Sequence, residues 1–360
     1  MTMKKIIIFI FLIFLLGTQG CSSQKDVPDF TSSDYLEGFD QPNSNTMSWF
    51  VPAEDRYYCR DANGYVYYSE KENMHWFLLC GKPQCSHSGF DCNAYIGYTF
   101  LFAQYGDRLI YATNAFGIDA YPTYKIYSMA MDGSDRKAIK DLGILKDTSP
   151  SAWLHRGHVY YNERNNITGN MKIYDLDITS PDQEAELIFE DIGDVVIFGT
   201  GTIINLEVYN NEGLFVYQYD TIGKTMSQVG GDSFLNSDYL HHCLDGSILY
   251  EKDGELYRMD PAAMKETVLG PITDGRCYAD DDLMYVIGAE PNEGYAISLN
   301  QDSAEKTMLP FGSPLGEESY LNMDNDYVFL IRRGGRLPEY YMKKSELLAG
   351  NGQWYPMETG

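Results

Sequence analysis

The stretch "GHVYYNERNNITGNMKIYDLD", residues 157–177, holds two short aromatic and β-branched runs separated by polar residues. The first run, "GHVYY" (157–161), places a turn residue and a variable residue ahead of three mostly apolar ones. The second, "IYDLD" (173–177), has two apolar residues, a variable one, another apolar one and aspartate, which is typical of a strand entering a turn. The segment "NERNNITGN" (162–170) between them predicts a loop, so the stretch as a whole predicts two antiparallel strands.

Both runs recur along the chain. Counterparts of the first are "GYVYY" (64–68), "DRLIY" (107–111), "GTIIN" (201–205), "GSILY" (246–250), "DDLMY" (281–285) and "DYVFL" (326–330). Successive copies end 43, 50, 44, 45, 35 and 45 residues apart, a mean near 44. Counterparts of the second run follow 10 to 19 residues later, as "WFLLC" (76–80), "IYSMA" (126–130), "VYQYD" (216–220), "LYRMD" (256–260), "AISLN" (296–300) and "YYMKK" (340–344).

Two further strand signals complete each repeat. An apolar run precedes the first element, as in "YTFLFA" (98–103), and another follows the second, as in "KETVL" (265–269). Four short strands in about 44 residues match a propeller blade, which cannot cover both of its faces alone. The sequence therefore predicts an all-β fold, a β-propeller of seven four-stranded blades, with six to eight as the range. A set of β-sandwiches is the alternative, because it also consists of many short strands.

The first twenty residues have the order of a secretory signal. Two lysines precede an apolar run of eleven residues, which is shorter than the roughly 20 residues of a membrane-spanning helix. Cys21, followed by two serines, resembles the lipobox of bacterial lipoproteins, although Thr18 stands where that motif usually has leucine. The resemblance implies a signal peptide over residues 1–20 and a lipid-modified Cys21. A plain secretory signal is the alternative.

Composition limits the partners of the remaining chain. Residues 21–47 are polar and predict a flexible, lipid-anchored linker, which leaves residues 48–360 for the propeller domain. Residues 1–20 hold two of the 27 basic residues and none of the 52 acidic ones, so the rest carries a formal charge of 25 − 52 = −27. Because such a surface repels nucleic acid, no nucleic-acid partner is expected, and attachment to the membrane would rest on the lipid at Cys21.

The signal and the degenerate repeats together resemble extracytoplasmic β-propeller lipoproteins of anaerobic Gram-positive bacteria. More distantly, the chain is similar to TolB-like and quinoprotein-like propellers. The resemblance covers the signal and all the repeats, and it implies a protein anchored by lipid on the extracytoplasmic face of the cell membrane. A shared fold implies much less about activity.

Catalytic motifs are missing from the sequence: it has no nucleophile elbow, phosphate-binding loop or metalloprotease motif. We therefore expect a binding or interaction module for a protein, peptide or glycan, without catalysis and with ligand-binding residues unspecified. A propeller lyase or hydrolase with a channel-mouth active site and a structural subunit of an envelope complex are the alternatives. His241 and His242 are neighbours on a predicted strand, so they cannot bind one ion together. His155 and His158 flank a predicted turn and are expected to be exposed.

The segment "CGKPQCSHSGFDC" (80–92) concentrates Cys80, Cys85, His87 and Cys92. In the repeat, Cys80 takes the position of the aspartate that ends the second run, which puts Cys85 and His87 on one face of the fourth strand. Because structural zinc prefers thiolate and imidazole ligands, these four residues predict a structural zinc site. Disulfides among the six cysteines other than Cys21, or reduced thiols, are the alternatives. Residues 79–95 also resemble a recurrent cysteine- and histidine-containing segment of the lipoproteins named above.

Overall fold

A computed structural model gives the structure of the chain and describes most of it. The described residues are 28–41, 49–115, 123–144, 150–180, 182–235, 237, 239–243, 245–272, 275–280, 282–288, 294–299, 306–309, 311–312, 315, 319–332, 335 and 337–360. The predicted signal peptide and Cys21 lie outside these residues. The chain divides into the units Met1–Phe30, of which only residues 28–30 are described, and Thr31–Gly360. No helix of the described part is long and apolar enough to cross a membrane.

The described part of Thr31–Gly360 contains seven four-stranded antiparallel sheets, each built from four consecutive strands of the chain. This is the architecture of a seven-bladed β-propeller, as predicted. Blades one to four comprise β1 (Phe50–Pro52), β2 (Arg56–Arg60), β3 (Val66–Glu70) and β4 (Trp76–Leu78); β5 (Thr99–Tyr105), β6 (Arg108–Ala115), β7 (Thr123–Ala130) and β8 (Lys137–Ile144); β9 (Ala152–His155), β10 (His158–Arg164), β11 (Asn170–Asp177) and β12 (Glu186–Ile192); and β13 (Asp194–Thr200), β14 (Ile203–Asn210), β15 (Gly213–Asp220) and β16 (Thr225–Val229).

Blades five to seven repeat the pattern. They comprise β17 (Tyr239–His242), β18 (Ile248–Lys252), β19 (Glu255–Asp260) and β20 (Lys265–Pro271); β21 (Arg276–Ala279), β22 (Leu283–Ile287), β23 (Gly294–Ser298) and β24 (Lys306–Leu309); and β25 (Ser319–Met323), β26 (Tyr327–Arg332), β27 (Tyr340–Lys343) and β28 (Tyr355–Pro356). A short helix, α1 (Lys344–Leu348), follows β27. The third strands show the period of two that predicted them: in β11, Met171 and Ile173 are buried and alternate with half-buried residues.

Hydrophobic cores lie between neighbouring blades. The cluster that joins blades four and five includes Val216 of blade four, Phe234 of the short 3₁₀ helix that follows this blade, and Ile248 and Tyr250 of blade five. Equivalent clusters, among the described residues, join each blade to the next and blade seven to blade one. Every blade thus buries both of its faces, which explains why the repeat needs neighbours on either side.

The seam between blades seven and one closes the ring. Phe50 and Tyr57 of blade one pack against Phe329 of blade seven, with ring centroids 5.2 and 4.8 Å from that of Phe329. The Tyr57 hydroxyl donates to the Asp324 carboxylate. The outer strand β4 also forms a parallel bridge to Thr359 at the end of the chain. Contacts at both the core and the rim of the blades therefore hold this seam.

The strand assignment predicted for blade one is wrong: it is shifted by one strand. "GYVYY" (64–68) leads into the third strand, β3, and the second strand is β2, Arg56–Arg60. The "DRYYC" run (55–59) has the same pattern of a turn residue, a variable residue and three mostly apolar ones. Because the strands of this blade are short and the loops between them have three to five residues, two neighbouring runs both fit the repeat. "WFLLC" (76–80) accordingly contains the fourth strand, β4.

The predicted flexible linker, residues 21–47, also needs correction. Residues 31–41, hereafter the strap, pack against the propeller. Within the strap, the backbone N–H of Asp40 donates to the carbonyl oxygen of Leu36 (2.8 Å), and the N–H of Leu36 donates to the Asp40 carboxylate (2.9 Å). Polar composition predicts flexibility only when side chains find no partners on the folded domain, and Asp40 finds several there.

Candidate metal centre

The loop of residues 79–97 connects the outer strand of blade one, β4, to the inner strand of blade two, β5. It contains a single 3₁₀ turn, Gly89–Asp91, and otherwise lacks regular structure. Its end runs beside the turn between β2 and β3: Tyr65 and Tyr95 form an antiparallel bridge, and the N–H of Ile96 donates to the carbonyl of Gly64 (2.9 Å). The loop is thus held against blade one at both of its ends.

This loop brings together the four residues predicted from the sequence. Each of Cys80, Cys85, His87 and Cys92 offers one ligand atom, and all four atoms lie within 4.8 Å of one another. His87 Nδ1 lies 3.6 Å from Cys92 Sγ. A tetrahedral zinc ion with Zn–S of about 2.3 Å and Zn–N of about 2.05 Å separates a sulfur and a nitrogen ligand by about 3.6 Å. The spacing of this pair therefore fits zinc without adjustment.

The ligands converge for a reason other than the predicted one. Cys85 and His87 are not on the fourth strand of the blade: both follow β4 and lie in the loop. The chain reverses there because His87 and Gly89 adopt positive φ angles of 51° and 60°. A left-handed conformation is uncommon for residues other than glycine, although histidine adopts it more often than most, and such exceptions concentrate at functional positions. The N–H of His87 donates to Cys85 Sγ (3.4 Å), which joins these two candidate ligands within the loop.

Two of the thiols have pKa values shifted in opposite directions. Burial raises the pKa of Cys80, but hydrogen bonds to its sulfur from the backbone N–H groups of Lys82 and Asn93 and from the other two thiols outweigh burial and lower it to about 6. Burial raises the pKa of Cys92 to about 11, and its thiol acts as donor toward Cys80 and Cys85. The cluster therefore already stabilises one thiolate, the form in which cysteine binds metal.

Neighbouring groups fix the loop around the cluster. The Tyr65 hydroxyl donates to the carbonyl of His87 (2.8 Å) and accepts from the N–H of Gly89 (3.2 Å). On the side of blade two, Arg136 donates to the carbonyls of Asn93 (2.8 Å) and Tyr95 (2.9 Å). These bonds hold both the histidine ligand and the segment after Cys92, as supporting groups do around metal sites in general.

The donor set fits structural zinc. Three thiols and one imidazole complete a tetrahedron, whereas catalytic zinc sites leave one position open for water or substrate. When bound, the ion would neutralise the thiolates and tie the loop into one rigid unit. The three cluster cysteines form no disulfide in the structure, and Cys277 lies elsewhere, in β21. Among the described residues, these four form the single cysteine- and histidine-containing group with metal-binding proximity.

Three other histidines, His155, His241 and His242, are buried within the propeller. His241 and His242 are both almost fully buried, so neither offers an open ligand position. His242 Nε2 lies 3.0 Å from the buried Glu207 carboxylate of blade four. His155, predicted to be exposed, is also buried, with Nε2 2.7 Å from the carbonyl of Gly201. His158 is partly exposed and lies 2.6 Å from Asp175.

Aromatic side chains on inner strands form a feature that no sequence motif indicates. Trp153 of blade three and Phe198 of blade four are half-buried and make an edge-to-face contact with centroids 5.5 Å apart. The ring of His242 in blade five continues the row, 5.3 Å from that of Phe198. These residues are far apart in sequence, and their common signal is their position on the first strand of successive blades.

No protein-family model and no curated protein matches the sequence. Among solved structures, the chain is similar to prolyl endopeptidases, with a TM-score of 0.56 and 10% identity over 91% of this chain and 50% of that one. It is similar to the β-propeller domain of the Trilobed protease from Pyrococcus furiosus, with a TM-score of 0.51 and 12% identity over 73% of this chain and 83% of that one. It is also similar to TolB from Acinetobacter baumannii, with a TM-score of 0.40 and 13% identity over 73% of this chain and 61% of that one. The chain therefore spans about half the length of the prolyl endopeptidases and under two thirds of TolB.

These comparisons correct the expectation that the chain is not an enzyme. A β-propeller of similar fold forms a domain of the Trilobed protease, so the lack of a catalytic motif in a propeller sequence does not exclude a part in catalysis. The prediction is therefore withdrawn. At identities of 9 to 12% the similarity establishes the fold and leaves the activity open. In fold, the chain is a β-propeller similar to the propellers of peptidases.

Proposed function

We propose that the chain is a lipoprotein of the extracytoplasmic face of the cell membrane, where its propeller acts as a binding module for a protein, peptide or glycan. The observation that carries the binding role is the row of aromatic residues on the inner strands. Trp153 and Phe198 come from neighbouring blades, and Tyr320 on the inner strand of blade seven is 39% exposed. Aromatic rings present large, rigid contact surfaces that suit sugars and peptides.

Peptidoglycan is a suitable probe, because it contains both glycan and peptide and occurs on the extracytoplasmic side. Purified protein should sediment with insoluble peptidoglycan, and Trp153→Ala should weaken that binding at least tenfold, about 1.4 kcal/mol. Phe77→Ala is the matched control: this ring is 37% exposed but lies on the outer strand β4. Equal binding by both variants, or no sedimentation of the wild type, would contradict the proposed binding role.

The membrane anchor is proposed from the sequence around Cys21. Two acyl chains attached to this cysteine would hold the protein to the bilayer despite its negative charge, because each buried methylene adds about 0.8 kcal/mol. The test is fractionation of cells that express the full chain, together with mass spectrometry of the purified protein. Wild type should carry the lipid mass and remain with membranes, whereas Cys21→Ser should be released. Identical fractionation of the two proteins would refute the anchor.

Zinc at Cys80, Cys85, His87 and Cys92 is the third part of the proposal. Its support is the mutual proximity of the four ligand atoms and the spacing of His87 and Cys92. Metal analysis of purified protein should give one zinc per chain for wild type and little for Cys85→Ser. Cys277→Ser is the matched control, because it also removes one thiol but lies outside the cluster, and it should retain full zinc. Wild type without stoichiometric zinc would leave disulfide or reduced thiols as the state of the cluster.

A further inference from the structure

A buried ion pair fastens the strap, residues 31–41, to the propeller. The guanidinium of Arg156 donates to both carboxylate oxygens of Asp40, over 2.7 and 2.8 Å, and the side chains are only 4% and 2% exposed. The same guanidinium donates to the backbone carbonyls of Ser32 and Asp34. Bidentate arginine–carboxylate pairs are geometrically specific, so this arrangement fixes the position of the strap as well as its attachment.

The strap contacts three blades, and it does so at the same kind of turn in each. In blade two, the N–H of Gly106 donates to the carbonyl of Gly38 (2.8 Å), and Tyr105 packs edge-to-face on Phe39 with centroids 5.2 Å apart. Gly106 lies between β5 and β6, the first and second strands of its blade. The strap thus covers the turn that joins these two strands.

Blades three and four repeat this contact. Arg156 lies between β9 and β10, and Gly201 lies between β13 and β14. A side chain at Gly201 would come within 2.7 Å of the carbonyl oxygen of Ser33, so the strap backbone passes directly over this turn. In a propeller, the inner strands run in one direction around the channel, and the turns that follow them therefore lie on one side. The strap covers that side at blades two, three and four.

We propose that the strap orients the propeller on the membrane, with the side of the turns between first and second strands facing the bilayer; this inference rests on the proposed lipid at Cys21. Thr31, the first residue of the strap, follows Cys21 by ten residues. Ten residues extend at most about 35 Å. A unit of 330 residues has a radius of gyration of about 20 Å and a diameter near 50 Å. A short chain that leaves a fixed point on one side keeps that side next to the lipid.

The opposite side is then directed away from the membrane, toward external partners. Strands alternate in direction within a blade, so the turns between second and third strands and the connections between blades lie on this other side. The loop of residues 79–97, which holds the candidate metal centre, is one of those connections. It packs on Gly64 and Tyr65 in the turn between β2 and β3. The orientation therefore presents the predicted zinc loop outward and turns the strap side toward the bilayer.

Energy transfer to labelled lipid measures this orientation in the full, lipidated chain. A fluorescent non-natural amino acid replaces either Asp107, exposed in the turn between β5 and β6, or Ala62, exposed in the turn between β2 and β3. Each protein is reconstituted into phosphatidylcholine vesicles that contain a headgroup-labelled acceptor lipid. Transfer from position 107 should exceed that from position 62 at least twofold. Insertion of twenty Gly and Ser residues after Gln24 lengthens the tether without touching the strap, and it should reduce this difference.

The outcomes separate the orientation from the anchor on which it rests. Mass spectrometry of the same samples reports the lipid on Cys21 directly. A protein without that lipid would remove both the proposed anchor and the orientation. A lipidated protein with equal transfer from positions 107 and 62, or with greater transfer from position 62, would overturn the orientation alone. Greater transfer from position 107 that the longer tether reduces would support it.

Discussion

The indole N–H of Trp76, in the first blade, donates a hydrogen bond to the carbonyl oxygen of Pro338, in the last blade, over 3.0 Å. The two residues are 262 positions apart in the sequence, and the Trp76 side chain is completely buried. Its backbone N–H donates to the carbonyl of Glu358 (2.8 Å), and its carbonyl accepts from the N–H of Gly360 (2.9 Å). Because every described blade uses four consecutive strands, none is shared between the chain ends, and these contacts join the ends of the ring.

Trp76→Ala should therefore destabilise the whole propeller. Loss of a buried tryptophan costs about 3–5 kcal/mol, and here the carbonyl of Pro338 also loses its donor. Unfolding in urea, followed by fluorescence, measures the change in free energy. Phe77→Ala, in the same strand but 37% exposed, is the control and should cost less than about 1 kcal/mol. An equal decrease in the free energy of unfolding for the two variants would show that Trp76 contributes no more to closure of the ring than Phe77 does.

Removal of the proposed zinc ion should loosen the loop of residues 79–97 before it affects the blades. The loop has one 3₁₀ turn and few backbone hydrogen bonds of its own, so ligand bonds would supply most of its rigidity. A chelator should raise amide hydrogen exchange at Cys85 and Cys92 at least tenfold and leave the amides of β15 unchanged. It should also lower the free energy of unfolding, by about 4 kcal/mol if free zinc had been a thousand times its dissociation constant.

Ser88→Ala is the control for this experiment, because Ser88 is an exposed member of the same loop and is not a ligand. It should behave as wild type with and without chelator. Unchanged exchange at Cys85 and Cys92 after chelation would instead indicate that protein contacts, such as those of Tyr65, hold the loop without metal.

Local sequence patterns predicted the individual strands of the blades. The assignment of strands in blade one could not be predicted in this way, because it depends on contacts between segments that are distant in the sequence. The period-two alternation in β11 and β15 is a property of eight residues, and it is visible in the sequence. The register of blade one depends on the pairing of Phe50 with Cys59 and on closure against blade seven. Neither of these contacts leaves a local signal, so the sequence pattern alone does not distinguish "DRYYC" from "GYVYY" as the second strand of this blade.

The candidate metal centre was also predicted only in part. The residue types indicated that Cys80, Cys85, His87 and Cys92 lie close together, and they do, but the prediction that Cys85 and His87 share the fourth strand was wrong. Their convergence depends on positive φ angles at His87 and Gly89, and φ at a non-glycine residue cannot be predicted from its identity alone. The burial of His155 was missed because the strap approaches it from more than a hundred residues earlier: Asp40 Oδ1 lies 3.6 Å from His155 Nδ1.

Asp40→Ala should detach the strap by leaving Arg156 without its carboxylate. Breaking one partner of a buried ion pair costs about 3–5 kcal/mol when the other charge stays buried. Here the strap can open and hydrate Arg156, so the effect should be local: faster exchange of the backbone amides at positions 106 and 40 and little change in β19. The double variant Asp40→Leu, Arg156→Met removes both charges and should restore protection in part. A single variant that exchanges like wild type would show that the ion pair does not hold the strap.

Buried His241 should make the fold sensitive to acid. Burial, together with the neighbouring His242, lowers the pKa of His241 to about 3, against about 6.5 in the unfolded chain. Between these pH values the unfolded state binds a proton that the folded state does not. The free energy of unfolding is therefore fully retained above pH 6.5 and falls as the pH decreases toward 3. One proton that binds only to the unfolded state lowers the free energy of unfolding by about 1.4 kcal/mol for each unit by which the pH falls.

Unfolding in urea at several pH values between 4 and 8, for wild type and His241→Gln, measures this contribution. Other groups titrate in both proteins, including His155, whose pKa burial also lowers. The difference between the two curves therefore isolates His241. The variant is expected to lose stability less steeply, by about 1.4 kcal/mol per pH unit between pH 6 and 4, whatever its stability at pH 8. Parallel curves would mean that His241 takes up its proton in the folded state, and the burial of this side chain between blades five and six would then have no influence on acid unfolding.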